Sequence, residues 1–153
     1  MIELYDRYSQ ESRDLHESLV ATGLSQLGVV IDADGFLPDG LVSPFTYYLG
    51  YEKGKPLYFN QVPVPAFWEI SGNNQSARIE DMTEERAVIH YADGMQARLV
   101  KQVDWKDLEG RVRQVDHYNR FGACFATTTY SADSEQIMTV YQDVNGKEVL
   151  LEN

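Results

Sequence analysis

The side chains able to do chemistry fall in few places. Asp32-Ala33-Asp34-Gly35 sets two carboxylates after a short apolar run. An Asp-x-Asp there could hold a divalent cation and a nucleotide-sugar pyrophosphate, because hard cations take oxygen ligands. It also opens like a calcium loop, but Phe36 occupies the next ligand position and no suitably spaced Glu follows. The reading favoured is a turn in which Asp accepts backbone N–H bonds and Gly takes positive φ. Cys124 and His117 could act as nucleophile and base if adjacent strands brought them together. Yet Cys124 sits between Ala123 and Phe125, as a small core residue would, and buried thiols are inert. His16, His90 and His117 lack ligand spacing, and one Cys cannot complete a thiolate zinc site, so no metal or other cofactor is expected. Asp116-His117-Tyr118-Asn119 is the densest polar–aromatic cluster, and two readings stay open. It could contact a partner or a sugar through flat apolar faces and hydrogen bonds. It could equally be a strand end held by its own side-chain bonds. No Gly-rich phosphate loop and no Gly-x-Ser-x-Gly elbow occurs.

The elements that must position these residues are mostly strands. From Val103 to Glu152, apolar and β-branched runs alternate with turn signals at Gly110, Gly122, Asp133-Ser134 and Asn145-Gly146. That rhythm predicts successive hairpins of one antiparallel sheet. Upstream strands are expected at 67–70, 77–81, 87–92 and 98–105, with turns at Gly72-Asn73-Asn74 and Asp93-Gly94. Residues 45–51 and 56–60 also read as strands, joined by a turn at 52–55. Val62-Pro63-Val64-Pro65 must be an edge or a connector, since each Pro lacks the ladder N–H. Asn74-Gln75-Ser76 is formally a sequon, given little weight without a secretory signal. At the start, Ser9 as N-cap, Leu15 and Leu19 four apart, and Gly23 as stop predict a helix over 9–22. Residues 27–31 predict a short buried strand. The fold expected is mainly β of the α+β kind. It is an extended antiparallel β-meander with one N-terminal helix and short strand.

The chain has 153 residues and a net charge of -11, from 24 acids against 13 Lys and Arg. So acidic a surface disfavours nucleic acid and anionic lipid, which need Lys/Arg clusters. Cys124 alone forbids an internal disulfide and suits a cytoplasmic location. Charges at Glu3, Asp6 and Arg7 stand where a signal peptide would be apolar, and no apolar run reaches membrane length. Simple alternation puts Leu99, Val103 and Trp105 on one side of their strand and Val100 on the other. Met138 and Val140 likewise oppose Ile137 and Tyr141. Either both faces of the sheet are covered, or one is an apolar and aromatic surface awaiting a partner.

Ordered blocks along almost the whole chain carry a family resemblance. They are Tyr8-Ser9-Gln10-Glu11-Ser12, Asp14-Leu15-His16, Asp34-Gly35-Phe36-Leu37-Pro38 and Ser43-Pro44. Pro56-Leu57-Tyr58-Phe59-Asn60-Gln61-Val62, Trp68-Glu69-Ile70-Ser71-Gly72, Val103-Asp104-Trp105, Asp116-His117-Tyr118-Asn119 and Gly146-Lys147-Glu148-Val149 follow. Together they resemble the N-terminal region of GtfB-type stabilising subunits. The GtfA–GtfB transferase puts N-acetylglucosamine on Ser/Thr of serine-rich-repeat adhesins in Gram-positive bacteria. The resemblance implies a helix–strand stub of a first transferase lobe at 1–34 and an inserted extended sheet at 35–153, together one compact unit. It implies a non-catalytic role in assembly and acceptor binding, since the family's donor-binding residues lie in other lobes. The partners implied are a catalytic GtfA-like subunit and a Ser/Thr-rich acceptor polypeptide. Self-association and peripheral membrane contact of the full complex are compatible with it. Contacts are expected through Trp68, Trp105, His117, Tyr118, Asn119, Tyr130 and Tyr141. The competing reading is a small closed β-barrel, a ligand carrier or an enzyme using Cys124 and His117.

Overall fold

In the computed structural model the structure describes residues 2–25, 27–93 and 97–153. The chain forms two compact units, 1–50 and 51–153. The boundary falls at Gly50 rather than at the turn after Asp34, and the chain is not a single unit.

In the first unit, β1 (Ile2–Tyr5), β2 (Leu27–Val30) and β3 (Leu41–Val42) make a parallel sheet in the order β1-β2-β3. The strand predicted over 27–31 pairs on both sides. Its partners are a four-residue and a two-residue strand, too short to carry a periodic signal of their own. Between β1 and β2 runs α1 (Gln10–Ala21), with Ser9 as N-cap in a capping box with Ser12 and Gly23 at φ 74° after its end. The face that α1 buries is polar: Ser12 and His16 are buried, while Leu15 is 52% exposed. His16 Nδ1 lies 2.6 Å from Glu3 Oε2 on β1, so a buried polar contact forms the helix–sheet seam. Gly28 sits in the middle of β2 because a Cβ there would come within 2.4 Å of Leu41 Cδ2 and 3.0 Å of Glu3 Oε2. Phe45-Thr46-Tyr47, expected in a strand, lies in α2 (Pro44–Tyr47), one helical turn opened by Pro44.

The second unit is an open sheet of eight antiparallel strands in sequence order. These are β4 (Glu69–Gly72), β5 (Ser76–Glu80), β6 (Glu85–Tyr91), β7 (Val100–Lys106), β8 (Val112–Tyr118), β9 (Cys124–Tyr130), β10 (Gln136–Gln142) and β11 (Glu148–Glu152). The hairpin rhythm predicted this meander, and the ends expected for its first four strands fall within two residues of those observed. Gly94, half of the predicted turn after Asp93, lies outside the described residues. Residues 56–60 do not form a strand: Tyr58 makes one bridge to Leu99, and 59–61 form a 3-10 turn. Leu57, Phe59, Val62, Val64 and Trp68 instead pack on Ala77, Ile79, Ala87, Ile89, Val100 and Val103. The Val-Pro-Val-Pro stretch is thus a connector laid across the sheet. Its prolines leave no ladder donors to satisfy, and its valines point at the core.

The segment before it is tied to the β8–β9 turn by two glycines. A Cβ on Gly54 would lie 2.3 Å from Phe121 O, and one on Gly122 would lie 2.3 Å from Lys55 O. Tyr51 OH donates to the carbonyls of Gln142 and Asp143, both at 2.9 Å, fixing the same segment at the end of β10.

Candidate partner-binding faces

Pairing register carries rows of side chains across the whole sheet. One row runs through Gly72, Ala77, Ile89, Val103, Asp116, Thr127, Val140 and Leu151. Its neighbour on the opposite face runs through Ser71, Arg78, Val88, Asp104, Val115, Thr128, Thr139 and Glu152. Burial crosses between them. Ala77, Ile89 and Val103 are at most 1% exposed in the first row, which ends on Leu151 at 66%. In the second row Arg78 is exposed, whereas Val115, Thr128 and Thr139 are buried. The core therefore lies mainly on one side of β4–β7, where Tyr118 at the end of β8 joins it, and on the other side of β8–β10.

Bulges redirect individual residues within this pattern. Gln102 pairs with His90 and Val100 with Tyr91, so Lys101 is an extra residue on β7. The extra residue turns Val100 to the same side as Val103, and both are fully buried. Simple alternation had put them on opposite sides. In β9, Phe125 is extra between the partners of His117 and Tyr118. Its ring centroid lies 6.3 Å from that of His117 and 6.5 Å from that of Tyr141, within the second core.

Each half of the sheet keeps one wet face. On β5–β7 it is charged: His90 Nε2 meets Asp104 Oδ2 at 2.9 Å, Gln102 donates to Asp104 Oδ1 at 2.8 Å, and Lys106 pairs with Glu85. On β8–β11 it is mixed, with Gln114, Thr129 and Leu151 exposed and Met138 and Val140 half-buried. At its border Asp116 accepts from Trp105 Nε1 (2.9 Å), Gln114 Nε2 (2.9 Å) and Thr127 Oγ1 (3.2 Å). These groupings were invisible in the sequence, because they depend on cross-strand register.

The predicted contact residues divide accordingly. Tyr118 is buried in the core, and Tyr141 is buried with its hydroxyl 3.0 Å from Glu152 Oε2. Asn119 is buried, and its Oδ1 accepts from Phe121 N (3.0 Å) and Ala123 N (3.1 Å), closing the β8–β9 turn. Trp68, Trp105, His117 and Tyr130 keep part of their surface in solvent. Trp68 carries the Arg86 guanidinium 5.3 Å above its ring. His117 Nε2 lies 3.1 Å from Thr128 Oγ1, and burial holds its pKa below the usual imidazole value.

The closed-barrel reading does not survive. The sheet is open, with β4 and β11 at its edges. Cys124 pairs with Tyr118, while His117 pairs with Ala126 and turns to the other face. Burial pushes the Cys124 thiol up to about 11, which removes its nucleophilic form near neutrality. The Asp-x-Asp is a turn: Asp34 Oδ1 accepts from Phe36 N at 2.8 Å. Among the described residues no group of three His, Cys, Asp or Glu could hold a metal ion. In the sequon, Asn74 Oδ1 accepts from Arg98 Nε and Nη2 at 3.2 and 2.7 Å. No helix among the described residues is long and apolar enough to cross a membrane.

Comparison with known proteins adds to this geometry. The family model of the GtfB middle domain matches residues 68–153, and that of the GtfB N-terminal domain matches residues 2–48. The chain is 91% identical over its full length to the UDP-N-acetylglucosamine–peptide N-acetylglucosaminyltransferase stabilizing protein GtfB of Streptococcus pneumoniae serotype 4, covering 34% of that protein. It is 54% identical to the protein of the same description from Streptococcus gordonii, again over 100% of this chain and 34% of that one. The chain thus spans about a third of the length of these relatives. A chain of the crystal structure of a GtfA/B complex bound to UDP and GlcNAc superposes with a TM-score of 0.94 at 54% identity, over 100% of this chain and 35% of that one. A chain of the Gap123 glycosylation-associated complex of Streptococcus agalactiae superposes with a TM-score of 0.76 at 11% identity, over 99% and 36%, and shares the fold alone.

Proposed function

Since this chain belongs to the GtfB family, we propose that it is the scaffolding part of a stabilising subunit in a bacterial protein O-glycosyltransferase complex. It holds a catalytic glycosyltransferase subunit and helps to present a Ser/Thr-rich acceptor polypeptide in the cytoplasm. It carries no nucleotide-sugar chemistry of its own. The unit at 1–50 is the beginning of a transferase-like lobe, to which the sheet is attached. A relative of 54% identity occurs in a GtfA/B complex, which supports the choice of partner.

The observation that carries this reading is the exchange of buried faces between β7 and β8. A sheet with one continuous core has one side to offer. This one leaves a charged face on its first half and a mixed, partly apolar face on its second, on opposite sides of the sheet. The mixed face suits a stable protein contact, because apolar area with a polar surround is what such contacts bury.

Titration calorimetry with a purified catalytic subunit tests the assignment. Met138→Glu and Val140→Glu on the mixed face should each weaken assembly by roughly tenfold, about 1.4 kcal/mol, without lowering Tm. Arg78→Glu on the opposite face should leave it unchanged. A folded wild-type chain that binds neither the catalytic subunit nor an unglycosylated Ser-rich peptide would overturn the proposal.

A further inference from the structure

Three exposed apolar side chains stand at one end of the eight-stranded sheet, apart from the mixed face. The pairing of Glu69 with Glu80, and of Ala87 with Trp105, brings the start of β4, the β5–β6 turn and the β7–β8 turn to that end. There Phe67 and Met82 are each 92% exposed, and Leu108 is 72% exposed. Phe67 is the third residue of a turn closed by Trp68 N donating to Pro65 O at 3.2 Å. Its φ of 71° is a conformation that favours glycine, so a bulky ring is held in water at a strained position. Side-chain bonds brace the other two turns. Asp81 Oδ1 accepts from Thr83 N and Glu84 N at 3.1 and 2.9 Å, and Asp107 Oδ1 from Glu109 N and Arg111 N at 3.0 Å each. The carboxylates of Glu69, Glu80 and Glu84 stand at the same end. The nearby cations are taken up: Arg86 pairs with Asp81, and Arg111 with Asp107 and Glu109.

We propose that this end of the sheet docks one amphipathic α-helix of a partner protein, with Lys or Arg flanking its apolar stripe. The β5–β6 and β7–β8 turns lie two strand spacings apart, about 10 Å. Seven residues of an α-helix span that distance at about 1.5 Å each. Phe67 lies about 7 Å further along the same line, close to one more helical turn. A helix laid across the strand ends therefore meets Leu108, Met82 and Phe67 with apolar residues at i, i+7 and i+11, which share one face. The carboxylates select basic flanks, and they repel anionic lipid and a second copy of the same acidic end. Braced turns hold the anchors in place before binding, which lowers the ordering cost.

Calorimetry of the full chain with a Leu/Lys helical peptide of about 18 residues, Leu at i, i+7 and i+11, tests the site. The peptide should bind saturably, and its Leu/Glu counterpart should not. Phe67→Gly should weaken binding at least about tenfold and raise Tm, because glycine relieves the positive φ. Met82→Ser should weaken binding with Tm unchanged. Leu15→Ser, at an exposed apolar position on α1, should leave binding as it was. Vesicles containing phosphatidylglycerol should not retain the chain, and Phe67→Gly should leave its sedimentation unchanged. No saturable binding of the Leu/Lys peptide, equal binding of the Leu/Glu peptide, or undiminished binding by a folded Phe67→Gly chain overturns the assignment. So does retention on the vesicles, or a dimer that Phe67→Gly dissociates.

Discussion

Val103 and Val115 lie on adjacent strands of one sheet and are both buried, but on opposite faces. Val103 pairs with Asp116, and Val115 with Asp104, so each valine's cross-strand neighbour is a carboxylate on its own face. The connector over 57–68 covers the Val103 side, and Phe125 and Tyr141 belong to the core on the Val115 side. Each half of the meander is therefore a one-sided sheet, and the two halves face opposite ways.

Truncations on one face of the sheet should differ sharply between its two halves. Ile89→Ala removes a fully buried side chain and should cost about 2–5 kcal/mol. Thr129→Ala, on the exposed side of β9, should stay within about 0.5 kcal/mol. Urea unfolding of both variants measures the contrast.

The close approach of 54–55 to 121–122 should not tolerate a methyl group. Gly122 has φ 82° and a backbone carbonyl 2.3 Å from where its Cβ would be. Both conditions penalise Gly122→Ala, by at least about 2 kcal/mol in the same assay. Gly146, at φ 80° with open space around it, should lose less on the same change.

Asn119→Asp should be tolerated and Asn119→Ala should not. Asp keeps the acceptor that receives Phe121 N and Ala123 N, whereas Ala leaves those donors without it. The expected loss for Ala is about 1–3 kcal/mol. Thermal melts of the two variants decide it.

Alkaline pH should destabilise the second unit. Burial raises Cys124 from 9.0 to about 11, and burial also raises Tyr118. Between those values the unfolded thiol has lost its proton and the folded one has not. Stability is complete below about pH 9 and falls as pH rises towards 11. Cys124→Ala should flatten this slope in Tm, and alkylation of the folded wild type should be slow at pH 8.

Acid should act through His117. Its pKa is held down by burial, so the unfolded chain binds the proton more readily. The contribution is present above about pH 6.5 and is lost as pH falls below it. His117→Gln, which can still bond Thr128, should make Tm less sensitive to acid over that window.

Turn chemistry and hairpin spacing were enough to read the meander, because each hairpin is decided by residues close in sequence. Ser9 and Gly23 likewise announced α1. Where long-range pairing decides, the reading failed. β1 and β3 depend on β2 for their existence, and residues 45–47 have strand-like composition but follow a Ser-Pro that opens a helical turn. The Asp116–Asn119 cluster was legible as polar and aromatic, yet its members separate. Asp116 accepts from Trp105, His117 faces the other side, Tyr118 is core and Asn119 closes a turn.

The sequence by itself determined a mainly β chain, acidic, with one lone thiol, no metal-ligand spacing and an ordered set of blocks resembling one family. Those properties reside in residue types and local spacing. Only the tertiary structure decided which face each strand buries, since one extra residue at Lys101 or Phe125 reverses the alternation, and a bulge is defined by its partner strand. It also decided that the side chains of His117 and Cys124 lie on opposite faces and that those of Glu3 and His16, thirteen residues apart, meet. Those relationships depend on register and packing between elements, which no run of neighbouring residues encodes.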